Sequence, residues 1–223
     1  EVLDERGCKT VYCDINDQLT LTEESVKKVI TPATRAVVLI HYFGWPQKET
    51  NKIADLCREK GIALVEDCAL SPSSSVNGKP LGSIGDISIF SLKKFLSLPH
   101  GGLLVINSNK VPDPQHSIQK FQPLTTLFEL GGRLAAGMFL RWQLSYLIAG
   151  NWLAKIRKKG EKLGTDFSGA PHYISRQKNI GMSRIVTYLI NRTNYDKVVR
   201  SRQNNFKYLH SKLEQLDGPY KLW

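Results

Sequence analysis

The chain has 223 residues, of which 41% are hydrophobic and 23% charged, and Lys and Arg outnumber Asp and Glu 31 to 20 for a net charge of +11. These values exclude disordered and collagen-like chains and fit one globular domain, or one domain with an appendage. No apolar stretch follows a basic start, the four cysteines form no CxxC pair and the five histidines are scattered, so a secretory leader, a disulfide framework and a zinc cluster are not expected and a reduced cytoplasmic protein is.

The first hundred residues alternate short apolar runs with helical patterns. Thr10 to Ile15 is partly β-branched and is followed by Asn16-Asp17, which predicts a strand and turn. Thr22 to Ile30 predicts a helix with Thr22 as N-cap and Pro32 just beyond its end. Arg35 to Tyr42 contains Ala-Val-Val-Leu-Ile, apolar on both faces, as in a buried parallel strand. Lys48 to Lys60 is amphipathic, with Ile53, Leu56 and Cys57 on one side, and Gly61 ends it. Ile62 to Val65 is the next buried strand. Ser71 to Gly85 is rich in Ser, Gly and Pro and reads as a loop, and Asp86 to Leu92 and Leu103 to Asn107 are two further strands. Helices between strands imply right-handed crossovers and a mostly parallel sheet covered on both faces.

Beyond Asn107 the character changes. Val111 to Gln122 is polar and contains proline. Leu134 to Ile156 is strongly apolar but interrupted by Arg141, and the basic run Lys155 to Lys162 overlaps its end. The uninterrupted apolar part is too short for a membrane-spanning helix. Its cations beside an apolar face leave contact of residues 134–162 with an anionic membrane surface open, against core or dimer surface. Ser183 to Leu216 returns to a long helical pattern. The positive charge suits phosphorylated substrates. No helix-turn-helix, RNA-binding aromatic motif or zinc finger accompanies it, so no nucleic-acid partner is expected.

Two stretches carry chemistry. Val65-Glu66-Asp67-Cys68-Ala69 and Phe90-Ser91-Leu92-Lys93-Lys94 each end an apolar run. Taken singly, Asp67 reads as a turn residue and Lys93-Lys94 as a solvated pair. Together they bring an aspartate, a serine and a lysine to the carboxyl ends of neighbouring strands. Pyridoxal phosphate needs those three groups: a carboxylate facing the pyridine nitrogen, a hydroxyl for the phosphate, and an amine that bonds the aldehyde carbon. Ser-x-x-Lys is also the nucleophile motif of penicillin-binding enzymes, but the Ser-Asp-Asn and Lys-Thr-Gly elements that accompany it there are absent. His41 reads as a structural histidine at a strand end, and Cys68 as inert packing.

The order and spacing of six motifs extend this reading. They are Val11-Tyr12-Cys13-Asp14-Ile15, His41-Tyr42-Phe43-Gly44-Trp45-Pro46, Glu66-Asp67-Cys68-Ala69, Gly82-Ser83-Ile84-Gly85-Asp86, Phe90-Ser91-Leu92-Lys93-Lys94 and Pro99-His100-Gly101-Gly102. In these the chain resembles the DegT-type (StrS-like) sugar aminotransferases of the fold-type I, aspartate-aminotransferase-like superfamily. The resemblance covers Gly7 to about Asn107 and resumes weakly near Gly181-Met182-Ser183 and Arg200 to Leu209.

The resemblance implies an α/β fold, the large domain of a pyridoxal-phosphate enzyme, with a mostly parallel sheet flanked by helices and a helical extension. It implies Lys94 as the catalytic lysine, Asp67 as partner of the pyridine nitrogen, Ser91 as phosphate ligand and Ala69 packed on one ring face. It further implies an amino donor such as glutamate, a nucleotide-linked keto sugar as acceptor, and a homodimer. The expected division is 1–110 for the cofactor-binding core, 111–180 for an insertion without family motifs, and 181–223 for a long helix leading toward a small C-terminal domain. No phosphate-cradling turn precedes the first predicted strand, so N-terminal and C-terminal portions of the family fold are expected to lie outside this chain. Leu70 stands where relatives often carry Gln or His. Leucine cannot hydrogen-bond the ring hydroxyl, which leaves open an inactive or scaffold homologue, associated with a membrane surface through the apolar-basic segment.

Overall fold

The computed structural model describes residues 3, 6–112, 126–127, 130–132 and 181–215. Its centre is a four-stranded sheet in the order β1 (Ala36–Ile40), β2 (Ala63–Asp67), β5 (Ile87–Ser91) and β6 (Gly102–Ile106). β1, β2 and β5 run parallel, with Ile40 opposite Asp67 and Asp67 opposite Ile89. β6 runs antiparallel to β5 and sets Ser91 against Gly102. The sheet is therefore mostly parallel, as expected, with one reversed edge strand.

Two helices connect the early strands, and local chemistry fixes their ends. In α1 (Glu23–Val29) the Thr22 side chain accepts from the Ser25 amide, and Glu23 and Glu24 sit in the first turn with Lys27 and Lys28 in the last. α2 (Thr50–Lys60) ends at Gly61, as the sequence predicts, but starts two residues later than expected and has no side-chain cap. Glu49 faces elsewhere: its Oε2 accepts from the Glu23 amide at 2.8 Å and its Oε1 from Lys52. Both helices lie on one face of the sheet. Val26, Val37, Leu39, Ile53, Leu56, Cys57 and Leu64 interdigitate there as the main core, which is where apolar burial stabilises the fold.

Among the described residues no helix covers the central strands on the opposite face. Val38 on β1 is 49% exposed and Ile89 on β5 is 46% exposed, with Ile40 beside them. Among the described residues the expected helical cover is present on one face. Strand hydrophobicity reports both faces at once, and helices α1 and α2 cover only one of them.

Three further expectations are corrected. Thr10 to Ile15 forms no strand, and among the described residues no sheet strand pairs with it. Tyr12 is exposed, and the Asn16 side chain instead folds the chain by accepting from the Gln18 and Thr20 amides. Ser71 to Gly85 is not wholly loop. β3 (Ser75–Val76) and β4 (Lys79–Pro80) form a hairpin around Asn77-Gly78, both at positive φ, as this dipeptide favours. The long helix expected over Ser183 to Leu216 is two helices, α4 (Arg184–Arg192) and α5 (Tyr195–Leu213). Asn194 breaks them: its side chain accepts from the Lys197 amide and caps α5.

The chain divides into two compact units, residues 1–187 and 188–223. The second holds α5, which buries none of its residues. Among the described residues no helix is long and apolar enough to cross a membrane. The segment 134–162 assigned to membrane or dimer contact lies outside the described residues, as does nearly all of the predicted insertion 111–180.

Candidate active site

Strand alternation decides which side chains share a face. On β2, Leu64 and Glu66 point into the covered side, and Asp67 points to the other side. On β5, Ser88 and Phe90 are buried and Ser91 is half-buried on the other side. Asp67 lies opposite Ile89, and Ser91 is two residues farther along the neighbouring parallel strand. The two side chains thus stand on one face, at the carboxyl ends of adjacent strands. Crevices at this end of open α/β sheets are where ligands bind.

α3 (Leu92–Phe95) follows β5 without a break and carries Lys93 and Lys94, both exposed. The Gly101 carbonyl fixes its start by accepting from the Leu92 amide at 3.0 Å and the Lys93 amide at 3.4 Å. Ser91 is still extended (φ −106, ψ 97), so the helix begins after it and carries Lys94 three residues beyond the serine.

These groups fit pyridoxal phosphate. Asp67 Oδ1 accepts from the Ala69 amide at 2.9 Å. Among the described residues no donor meets its other oxygen, no partner takes up the Lys94 amine, and the Ser91 hydroxyl makes no capping bond. An acceptor and a hydroxyl thus remain uncommitted on one face, with an exposed amine three residues beyond the hydroxyl. Ala69 is half-buried beside Asp67, and Leu70 is 46% exposed at the same rim. His100, below its usual value through burial and then through the Lys93 charge, approaches Thr126 Oγ1 at 3.3 Å.

Beneath the sheet lies a polar cluster that the sequence reading only half anticipated. His41 is a buried strand-end histidine, as expected, but its partner Glu66 had drawn no separate notice. His41 Nε2 and Glu66 Oε2 are 3.0 Å apart and both side chains are fully buried. The signal was there: in the inward series Leu64, Glu66, Cys68, a carboxylate occupies a core position. His41, Glu66 and Cys68 also bring their potential ligand atoms within 4.8 Å of one another, which raises a metal reading. Hydrogen bonding opposes it. The Gln47 amide donates to His41 Nδ1, so the ring proton sits on Nε2 and points at Glu66. Burial, then the neighbouring Glu66 charge, push the Cys68 thiol up to about 12.

The turn before β5 is packed against this cluster. Gly82 has φ +84, and a Cβ there would lie 2.6 Å from Phe90 Cζ, 3.0 Å from Ser88 Cβ and 3.1 Å from Cys68 Sγ. Its carbonyl accepts from Ser88 Oγ and, at 2.8 Å, from Asn107 Nδ2. Gly82→Ala is expected to cost about 1–3 kcal/mol through overpacking alone. Urea titration should show a lower midpoint with an unchanged slope.

The model of the DegT/DnrJ/EryC1/StrS aminotransferase family matches residues 1–122. The chain is 33% identical over 187 residues to dTDP-4-dehydro-2,3,6-trideoxy-D-glucose 4-aminotransferase of Saccharopolyspora spinosa, covering 78% of this chain and 45% of that protein. It is 36% identical over 110 residues to GDP-perosamine synthase of Vibrio cholerae, covering 48% and 30%. Among solved structures, DesI in the presence of its TDP-sugar product shares 32% identity over 48% of this chain and 28% of that one, with a TM-score of 0.44. The chain spans less than half the length of these relatives. The family match takes in more than half of the sequence, and the chain belongs to the DegT/DnrJ/EryC1/StrS aminotransferase family, whose cofactor is pyridoxal phosphate.

Proposed function

We propose that the protein transfers an amino group from an amino acid such as glutamate to the keto carbon of a nucleotide-linked sugar. The observation that carries this reading is the shared face of Asp67 and Ser91 at adjacent strand ends, with Lys94 directly after. Relatives named for a dTDP-linked sugar and for GDP-perosamine support the substrate class. The net charge of +11 suits a diphosphate-bearing substrate.

Bound pyridoxal phosphate supplies an aldehyde carbon and a cationic ring that can take up the electron pair of a carbanion. The chain's residues do the rest. The free oxygen of Asp67 accepts the ring N–H. Ser91 Oγ holds the phosphate at the strand end. The Lys94 amine would hold the cofactor's aldehyde carbon and would serve as the acid and base that moves the proton at the donor's carbon. Leu70, 46% exposed after Ala69, offers no hydrogen bond there. We further propose a homodimer formed around the site, supported by the exposed Phe43, Trp45 and Leu70 near it.

Incubating the purified protein with pyridoxal phosphate and glutamate should release 2-oxoglutarate in an amount equal to the cofactor. Continued release should require a nucleotide-linked keto sugar. Leu70 favours a second reading, in which the fold binds the cofactor but does not turn over. Bound cofactor with no keto acid released from any amino acid would select that reading.

A further inference from the structure

We infer that Glu66 is a positioning residue for Asp67, setting the carboxylate that meets the cofactor from the opposite side of the sheet; this rests on the pyridoxal-phosphate reading above. Glu66 is the residue before Asp67 on β2 and points to the covered face. Its Oε2 accepts from His41 Nε2, and its Oε1 accepts from the Ile84 amide at 2.9 Å and from the Gly85 amide. One carboxylate thereby joins the end of β1, its own strand β2, and the turn leading into β5. Those elements carry or flank both Asp67 and Ser91. His41 closes the circuit, because its backbone N–H donates to the Asp67 carbonyl at 3.1 Å. His41 is itself oriented by the Gln47 amide, and the Gln47 side chain is pinned between Leu21 N and Leu19 O.

Stability alone gives no reason for a carboxylate here. A buried charge is costly to desolvate, and an apolar side chain of similar volume commonly serves as well. What Glu66 provides is geometry. Burial pushes its carboxyl up, but the His41 bond and the Gly85 and Ile84 amides outweigh this and hold it below the usual carboxylate range. The site is also shaped around it. A Cβ on Gly85 would lie 3.0 Å from Glu66 Cγ and 2.9 Å from the Leu64 carbonyl, so only glycine lets the turn close onto the carboxylate. In Glu66→Gln the new amide would face either the His41 N–H or the two backbone N–H groups, donor against donor.

The test is a binding cycle on the purified protein, read as affinity for pyridoxal phosphate and for its 1-deaza analogue, which has carbon in place of the ring nitrogen. Glu66→Gln should weaken pyridoxal phosphate binding about tenfold and leave the analogue's affinity unchanged. The loss should vanish in the Asp67→Asn background, because the two residues act as one unit. An equal loss in both backgrounds, or for both ligands, would show that Glu66 acts on the fold at large and would overturn the inference. If Asp67→Asn alone leaves the affinity for pyridoxal phosphate unchanged, the parent reading fails and takes this one with it. Should Glu66→Gln not fold, His41→Asn carries the same cycle. Asparagine keeps an acceptor for the Gln47 amide but is too short to reach Glu66.

Discussion

Replacing Lys94 with alanine is expected to abolish turnover, with a loss of about 10²–10⁴-fold from proton transfer alone and more from losing the amine that binds the aldehyde. Lys93 cannot substitute. Both lysines are exposed on α3, so accessibility does not separate them. Their order along α3 does, since successive helical residues are turned about 100° apart and the two amines leave the helix in different directions. Borohydride reduction of the cofactor-loaded protein, followed by peptide mass spectrometry, should place the adduct on Lys94. An adduct on Lys93, or none at all on protein that has retained the cofactor, would remove Lys94 from the site.

The parts of the fold legible in the sequence are those fixed by local rules. Thr22 and Gly61 mark helix ends through short-range hydrogen bonds, and the structure places both where the sequence does. The parallel core followed from apolar runs separated by a helix. What was not legible depended on neighbours. Thr10 to Ile15 has the residues of a strand but, among the described residues, no partner strand. The break at Asn194 is invisible to a hydrophobic period that continues across it, although asparagine before a new helix is itself a capping signal. The Asn77-Gly78 turn was legible in principle, but flanking strands of two residues each are too short to show alternation.

The same division holds at the site. Asp67 and Ser91 are candidates because each ends an apolar run whose strand direction is clear, and alternation puts the two on one face. Taken by itself, Glu66 carries no local sign of burial in the sequence, where it stands beside the candidate Asp67. Only the register of β1, β2 and β5 shows that it points inward, toward a histidine 25 residues away in sequence. A residue that positions its neighbour across the sheet leaves little local trace, whereas a residue at a strand's end leaves a clear one.

Asp67→Asn is expected to leave the fold intact and remove most of the chemistry. The asparagine Oδ1 can still accept from the Ala69 amide, as the aspartate Oδ1 does at 2.9 Å, and the β2 backbone pairing does not involve the side chain. Thermal melting should therefore change little. The other side-chain atom changes from an acceptor to an N–H donor. It can no longer accept a hydrogen bond from a protonated ring nitrogen, and it replaces a negative charge with a neutral group there. Asp67 is the residue that would hold a bound ring nitrogen protonated, and the neutral amide would not. A single preorganised electrostatic contact of this kind is worth about 10²–10³-fold in rate. Keto-acid release by Asp67→Asn should fall by at least that factor while Lys94 still forms its borohydride adduct. If the variant turns over at the parent rate, Asp67 is a turn residue that caps the Ala69 amide and the site lies elsewhere on the same face.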